Sequence, residues 1–149
     1  VSGGTYERAA MVGTMQRDST KAREAYFMDF IEKVRAVIST PLMLTGGFRT
    51  VSVMNDAVRN GVLDLVGLGR PFCLYPDLPK EILSSKRTDC SVPNLLTGVD
   101  KIDMTGMLQT PWHQFQLVRM GKGLDPDVDM DVWMVYEKIT GRKRPESAV

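Results

Sequence analysis

The chain has 149 residues, 43% of them apolar and 25% charged, which is the usage of a folded globular domain and not of a disordered tail. Nineteen basic residues against eighteen acidic ones leave a net charge of +1, so there is no electrostatic case for nucleic acid or an anionic membrane as partner. No apolar run approaches the roughly 20 residues that span a bilayer, and two cysteines, Cys73 and Cys90, are too few for a disulfide scaffold, so the expectation is a cytosolic protein with reduced thiols.

The first residues, Val1-Ser2-Gly3-Gly4-Thr5-Tyr6, read as a strand end entering a glycine turn. There is no initiator methionine, and the expectation is a cut edge of a longer protein. Tyr6 to Met15 is small and apolar, but Gly13 and Thr14 weaken a helix there. Lys21 to Ile38 is the clearest helix. Phe27, Phe30, Ile31, Val34, Val37 and Ile38 recur at three- and four-residue spacing, and Pro41 ends the pattern.

Pro41 to Thr45 is a short apolar run closed by Gly46-Gly47, and its length fits a strand buried on both faces. A helix over roughly Val51 to Asn60 follows, stopped by Gly61. Leu63 to Leu68 is a second buried-strand candidate, closed by Gly69-Arg70. Asp77 to Ser84 reads as a short helix beginning near Pro79. Residues 21 to 84 therefore run helix, strand, helix, strand, helix, which is the alternation of a parallel α/β sheet.

The alternation stops near Lys86, and Ser91 to Gly106 has no clear period. A helix is expected over Thr110 to Met120, with Trp112, Phe115, Leu117 and Val118 on one side, and another over Asp129 to Ile139. Ten methionines is a high count for this length. Met28, Met43, Met54, Met107 and Met134 lie in or beside apolar patterns and read first as core filling, with an oligomer interface as the alternative.

The two strand-end turns carry the chemistry. Thr45-Gly46-Gly47-Phe48-Arg49 follows one strand and Gly67-Leu68-Gly69-Arg70-Pro71 the next. Glycines there let backbone N–H groups approach an anion, and a helix start just behind adds dipole and unpaired donors. Arg70 offers a forked, permanently charged clamp for phosphate oxygens. The plain alternative is that the glycines only turn the chain. Neither turn has dinucleotide-fingerprint or Walker spacing.

Other candidates give less. His113 is the one histidine, and beside Trp112 it reads as a packing or surface residue. Cys73 and Cys90 lack zinc-site spacing. Asp125, Asp127, Asp129 and Asp131 suggest calcium, but the loop positions that need glycine and glutamate hold Met130 and Tyr136, or Val132 and Lys138. Acids at a helix start are the better account of that run.

Ser2 to Tyr6, Pro41 to Arg49, Asp64-Leu65-Val66-Gly67-Leu68-Gly69-Arg70-Pro71-Phe72 and Tyr75-Pro76-Asp77-Leu78 together resemble the C-terminal part of the Old Yellow Enzyme family. These are NAD(P)H-dependent FMN oxidoreductases, or ene-reductases, built on a TIM barrel. The resemblance is good over residues 1 to 84 and loose beyond. It implies the C-terminal part of a (β/α)8 barrel, with units like strands 6 to 8 over 1–84 and a helical C-terminal extension over 85–149. It implies FMN as cofactor, NADH or NADPH as reductant and an enone-type small molecule as substrate. It also implies that Gly46 and Gly47, after a strand like the seventh, and Gly69 and Arg70, after one like the eighth, hold the FMN phosphate. The family's catalytic His/Asn or His/His pair and its proton-donating Tyr lie on earlier strands, so no catalytic residue carries over and the chain alone is expected to be inactive. The alternative is a non-catalytic α/β piece that binds no flavin and self-associates through Leu42–Leu44 and Asp64–Val66, because an incomplete barrel leaves strand edges to be closed.

Overall fold

A computed structural model describes residues 28–145. Residues 1–27 and 146–149 lie outside the described part, and with them Ser2 to Tyr6 and the beginning of the first expected helix. The contacts divide the described chain into two units, one of residues 28–72 and 76–91, the other of 73–75 and 92–145.

The first unit is mixed α/β. Its described elements are helix α1 (28–35), strand β1 (Met43–Thr45), helix α2 (Val51–Arg59), strand β2 (Leu65–Gly67) and helix α3 (Leu78–Leu83). The two strands pair in parallel, with Met43 opposite Leu65, Leu44 opposite Val66 and Thr45 opposite Gly67. Helix α2 forms the crossover between them and contacts β2. It turns Val51, Met54 and Ala57 inward at three-residue spacing. Asn60 closes it, donating to the Asp56 carbonyl at 2.9 Å, and Gly61 follows in the left-handed region at φ 71°. Val62 and Leu63 then both donate to the Ala57 carbonyl, at 3.0 and 3.1 Å, and bring the chain back toward β2.

Three expectations change. Helix α1 ends at residue 35, short of Ile38, and Val37 is exposed beyond it. The strands are buried on one face only. Leu44 is fully buried, whereas Met43 and Leu65, neighbours across the ladder on the other face, are 48% and 59% exposed. Segment 88–90, where no element was expected, straps the entry to α2. Val51 N donates to Thr88 O at 3.0 Å, Cys90 N donates to Arg49 O at 2.7 Å, and Thr50 and Asp89 form an antiparallel bridge.

One carboxylate fastens the N-terminal edge of the ladder. Asp64 accepts from the Leu42 backbone N–H at 2.7 Å and pairs with Arg35. The same guanidinium donates to the carbonyls of Val62 and Thr40, both at 3.3 Å. Leu42 O in turn accepts from Asp64 N and Leu65 N, at 3.0 and 3.1 Å.

The second unit is helical, with α4 (Asp100–Asp103), α5 (Gln109–Gly121) and α6 (Val132–Thr140). Its core holds Leu74, Leu95, Leu108, Trp112, Trp133, Val135 and Tyr136. Helix α4 falls where the sequence shows no period. Asp103 secures it by accepting from the N–H groups of Thr97 and Gly98, at 2.8 and 3.0 Å, and from the Thr97 hydroxyl at 2.7 Å.

The buried face of α5 is not the apolar one. Gln109, Trp112, His113 and Gln116 point inward, while Leu117 and Val118 are about half exposed. Gln116 is fully buried because its amide closes on the Asp127 peptide group. Its Nε2 donates to Asp127 O at 2.9 Å, and its Oε1 accepts from Asp127 N at 2.8 Å. Trp112 Nε1 donates to Met130 O at 2.9 Å, and Asp131 caps α6 by accepting from Trp133 N at 2.9 Å.

The hydrogen bonds from Leu42 and Arg35 hold the Asp64 carboxyl below its usual range. A group depressed in the folded state stabilises fully above its unfolded pKa, near 4, and loses that contribution as pH falls through the folded value. Thermal melts from pH 6 down to pH 2 should therefore show a fall in the midpoint at the acid end that is smaller in Asp64→Asn. An unchanged acid slope in that variant would remove Asp64 from this role.

Candidate anion-binding edge

The register decides what the strands present at their C-terminal ends. Thr45 sits opposite Gly67, so the chain leaves both strands side by side, into Gly46-Gly47 and into Leu68-Gly69-Arg70. Neighbouring strands lie about 4.8 Å apart, so the two turns start within reach of one small ligand.

The four glycines are glycine for different reasons. Gly46 and Gly47 have φ of 105° and 85°, where any side chain is strained. Gly67 is fixed by close approach: a Cβ there would lie 2.0 Å from Thr45 Oγ1 and 2.9 Å from Thr45 Cβ. Gly69 has neither constraint. Its φ is outside the left-handed region, and a Cβ would meet nothing within 4 Å. Its bare backbone faces open space beside the other turn, a cradle in which the approach to the main chain is left clear.

Arg70 begins a 3-10 turn, Arg70–Cys73, in which Phe72 N donates to Gly69 O at 3.0 Å and Pro71 is buried. Segments 45–50 and 67–72 together contain two arginines, Arg49 and Arg70, and no acid. Asp89 of the strap lies beside the first of these segments, bridged to Thr50. Arg49 turns part of its guanidinium inward, donating to Phe48 O at 2.7 Å. The helix start behind the first turn contributes less than expected, because the α2 amide of Val51 already donates to Thr88.

The four residues singled out in the sequence, Gly46, Gly47, Gly69 and Arg70, thus leave from one edge of one parallel pair. Asp64 and its partners lie at the opposite edge. The Thr45–Gly67 contact went unnoticed in the sequence, where Gly67 reads as one more turn glycine. Only the register across the ladder distinguishes it.

The remaining candidates have structural uses. His113 is buried, its Nδ1 lies 2.6 Å from Gln109 O, and its ring meets Trp112 edge-on at 5.1 Å. Burial pushes both thiols, Cys73 and Cys90, above their usual pKa, which works against thiolate chemistry. In the acidic run, Asp127 is held by Gln116 and Asp131 caps α6. No group of three or more His, Cys, Asp or Glu is arranged to hold a metal among the described residues. No described helix is long and apolar enough to cross a membrane.

The sequence profile of the NADH:flavin oxidoreductase / NADH oxidase family matches residues 3–89. The chain is 41% identical over 118 residues to the NADH-dependent flavin oxidoreductase iccE of Talaromyces variabilis, covering 76% of this chain and 27% of that protein. It is 33% identical over 120 residues to the NADH-dependent flavin oxidoreductase iliE of a Neonectria species, covering 75% of this chain and 16% of that protein. A third similar protein, the NADH-dependent flavin oxidoreductase nadA of Aspergillus parasiticus, is 34% identical over 94 residues, with 62% of this chain and 21% of that protein covered. The chain thus spans about a quarter or less of the length of these curated relatives.

The two glycines of β2 and its exit turn should respond differently to the same change. Gly67→Ala forces Thr45 aside and is expected to lower stability by about 1–3 kcal/mol. Gly69→Ala enters open space and should stay within about 0.5 kcal/mol of wild type. Urea unfolding of both variants tests this, and equal losses would refute the distinction.

Proposed function

The chain belongs to the NADH:flavin oxidoreductase / NADH oxidase family, and from that premise we propose that its first unit is the FMN-phosphate-binding part of a TIM-barrel flavin oxidoreductase of the ene-reductase type. In this reading, β1 and β2 correspond to the seventh and eighth barrel strands, and α4 to α6 belong to a helical extension. The observation that supports the reading is the parallel register, in which Thr45 faces Gly67 and the turns holding Gly46-Gly47 and Gly69-Arg70 both follow the same end of the pair.

The residues fit a phosphate monoester. Gly69 leaves its backbone uncovered, Gly46 and Gly47 adopt a conformation strained for other residues, and the two turns are followed by Arg49 and Arg70. Backbone N–H groups of the three glycines would position the phosphate. Arg70 would neutralise it and, as a rigid fork, fix its orientation. When bound, the flavin would supply hydride transfer from a reduced nicotinamide, NADH in the names of the relatives, to an activated alkene of enone type. This chain's contribution is to anchor the cofactor's phosphate end. The residues that handle the substrate belong to barrel strands outside this sequence.

Fluorescence titration of the purified chain with FMN and with riboflavin, which lacks the phosphate, tests the reading. FMN should bind more tightly than riboflavin, and Arg70→Ala should weaken FMN by about tenfold or more, as expected for loss of a charge-assisted hydrogen bond. Equal affinity for the two flavins, or no uptake of either, would refute it.

A second reading concerns the isolated chain. Met43 and Leu65 stand exposed beside each other on the open face of a two-stranded ladder. Such a ladder is marginal alone and presents edges that pair readily. We propose that two copies associate through Leu42–Leu44 and Asp64–Val66. Sedimentation should show a dimer or larger species that shifts toward monomer in Leu65→Lys, whereas a wild-type monomer at low micromolar concentration would rule it out.

A further inference from the structure

Among the polar side chains near the two turns, Thr45 is placed in a way that its strand alone does not require. It is the last residue of β1, immediately before Gly46, and it is half-buried. Its side chain lies across the ladder. The point 2.0 Å from its Oγ1 is where a Cβ on Gly67 would stand. Only a glycine opposite lets the hydroxyl occupy that position, so Thr45 Oγ1 is held directly between the start of one glycine turn and the start of the other.

Strand alternation puts Thr45 and Gly67 on the same face as Met43 and Leu65, which is the open one. The hydroxyl thus points away from the face that carries the buried Leu44. Side-chain hydrogen bonds in this unit engage Arg35, Asp64, Arg49, Ser84, Arg87 and Asp89, and among the described residues none takes up Thr45 Oγ1. A threonine hydroxyl is one donor and two acceptors on a stiff, β-branched stem. Strand propensity alone would be met equally by valine, which has the same shape and no hydroxyl.

We infer that Thr45 is a further binding residue of this edge, its hydroxyl donating a hydrogen bond to a phosphate oxygen of the bound flavin nucleotide, with Gly67 as the residue that positions it. This rests on the phosphate reading of Gly46, Gly47, Gly69 and Arg70. It adds a side-chain donor, set by the β1–β2 register, to a site otherwise built from main chain and one guanidinium.

The test uses Thr45→Val and Thr45→Ser in the full chain, with FMN and riboflavin as ligands and binding read by flavin fluorescence. Thr45→Val keeps the shape and should melt at the wild-type temperature. It should bind FMN about tenfold more weakly, as for loss of a hydrogen bond to a charged group, with riboflavin unchanged. Thr45→Ser restores the hydroxyl and should recover most of the FMN affinity. Thr45→Val that binds FMN like wild type overturns the inference, as does equal weakening toward both flavins, which would mark a shape effect. These outcomes leave the phosphate reading standing as long as wild type prefers FMN to riboflavin and Arg70→Ala reduces that preference. A wild-type chain that shows no preference overturns both.

Discussion

The constraint on which the rest depends is the register that sets Thr45 against Gly67. Side chains alternate with a period of two, so a slip of one residue would turn each of them to the opposite face. It would also bring Val66 or Leu68 opposite Thr45, with a side chain where the structure has room only for hydrogen. Strands of three residues have few ladder bonds with which to resist such a slip. The register is held instead from both ends. Asp64 and Arg35 tie Leu42 and the 62–64 turn at one edge, and the Thr45–Gly67 contact admits a single partner at the other. The two turns leave the same end of the ladder because of this, although more than twenty positions separate them in sequence.

The second unit answers a similar problem by different means. A buried helix face with Gln109, His113 and Gln116 would be costly if those groups lacked partners. Gln116 binds the Asp127 peptide as a strand neighbour would, one donor and one acceptor at once, and so fastens the loop that leads into α6. Trp112 adds a bond to Met130, three residues beyond Asp127, and Asp131 caps α6. Of the residues that stand out as chemistry in the sequence, His113 Nδ1 meets Gln109 O, and Asp127 and Asp131 accept from backbone amides of the loop and of α6.

How much could be read from the sequence follows from which interactions are local. Gly46-Gly47 declared itself because a left-handed pair has a compositional mark, and α2 because Val51, Met54 and Ala57 repeat at helical spacing. The face of α5 was misjudged because Gln116 looks like a solvent residue, and its partner lies eleven residues away in a loop without period. The strap at 88–90 and the Asp64 anchor were invisible for the same reason, since each joins segments that share no repeat. Gly67 and Gly69 are identical letters two apart, yet one is required by a neighbour and the other leaves a space. Only the packing tells them apart. The family profile reaches residue 89, so the resemblance carried in the motifs was legible where the fold details were not.

The two edges of the ladder divide the work. The carboxylate and guanidinium that secure the strands sit at the amino ends, and the glycine turns with Arg49 and Arg70 follow the carboxyl ends. Three residues of extended chain separate them, about 10 Å. At that distance the Asp64 charge would be largely screened by salt at the proposed phosphate site. The same separation means that the proposed phosphate site would not draw on the Asp64–Arg35 interactions that fix the register. The acid nearest to the second turn in sequence, Asp64, is engaged with Leu42 and Arg35 at the far end of the ladder, so its charge is already compensated there.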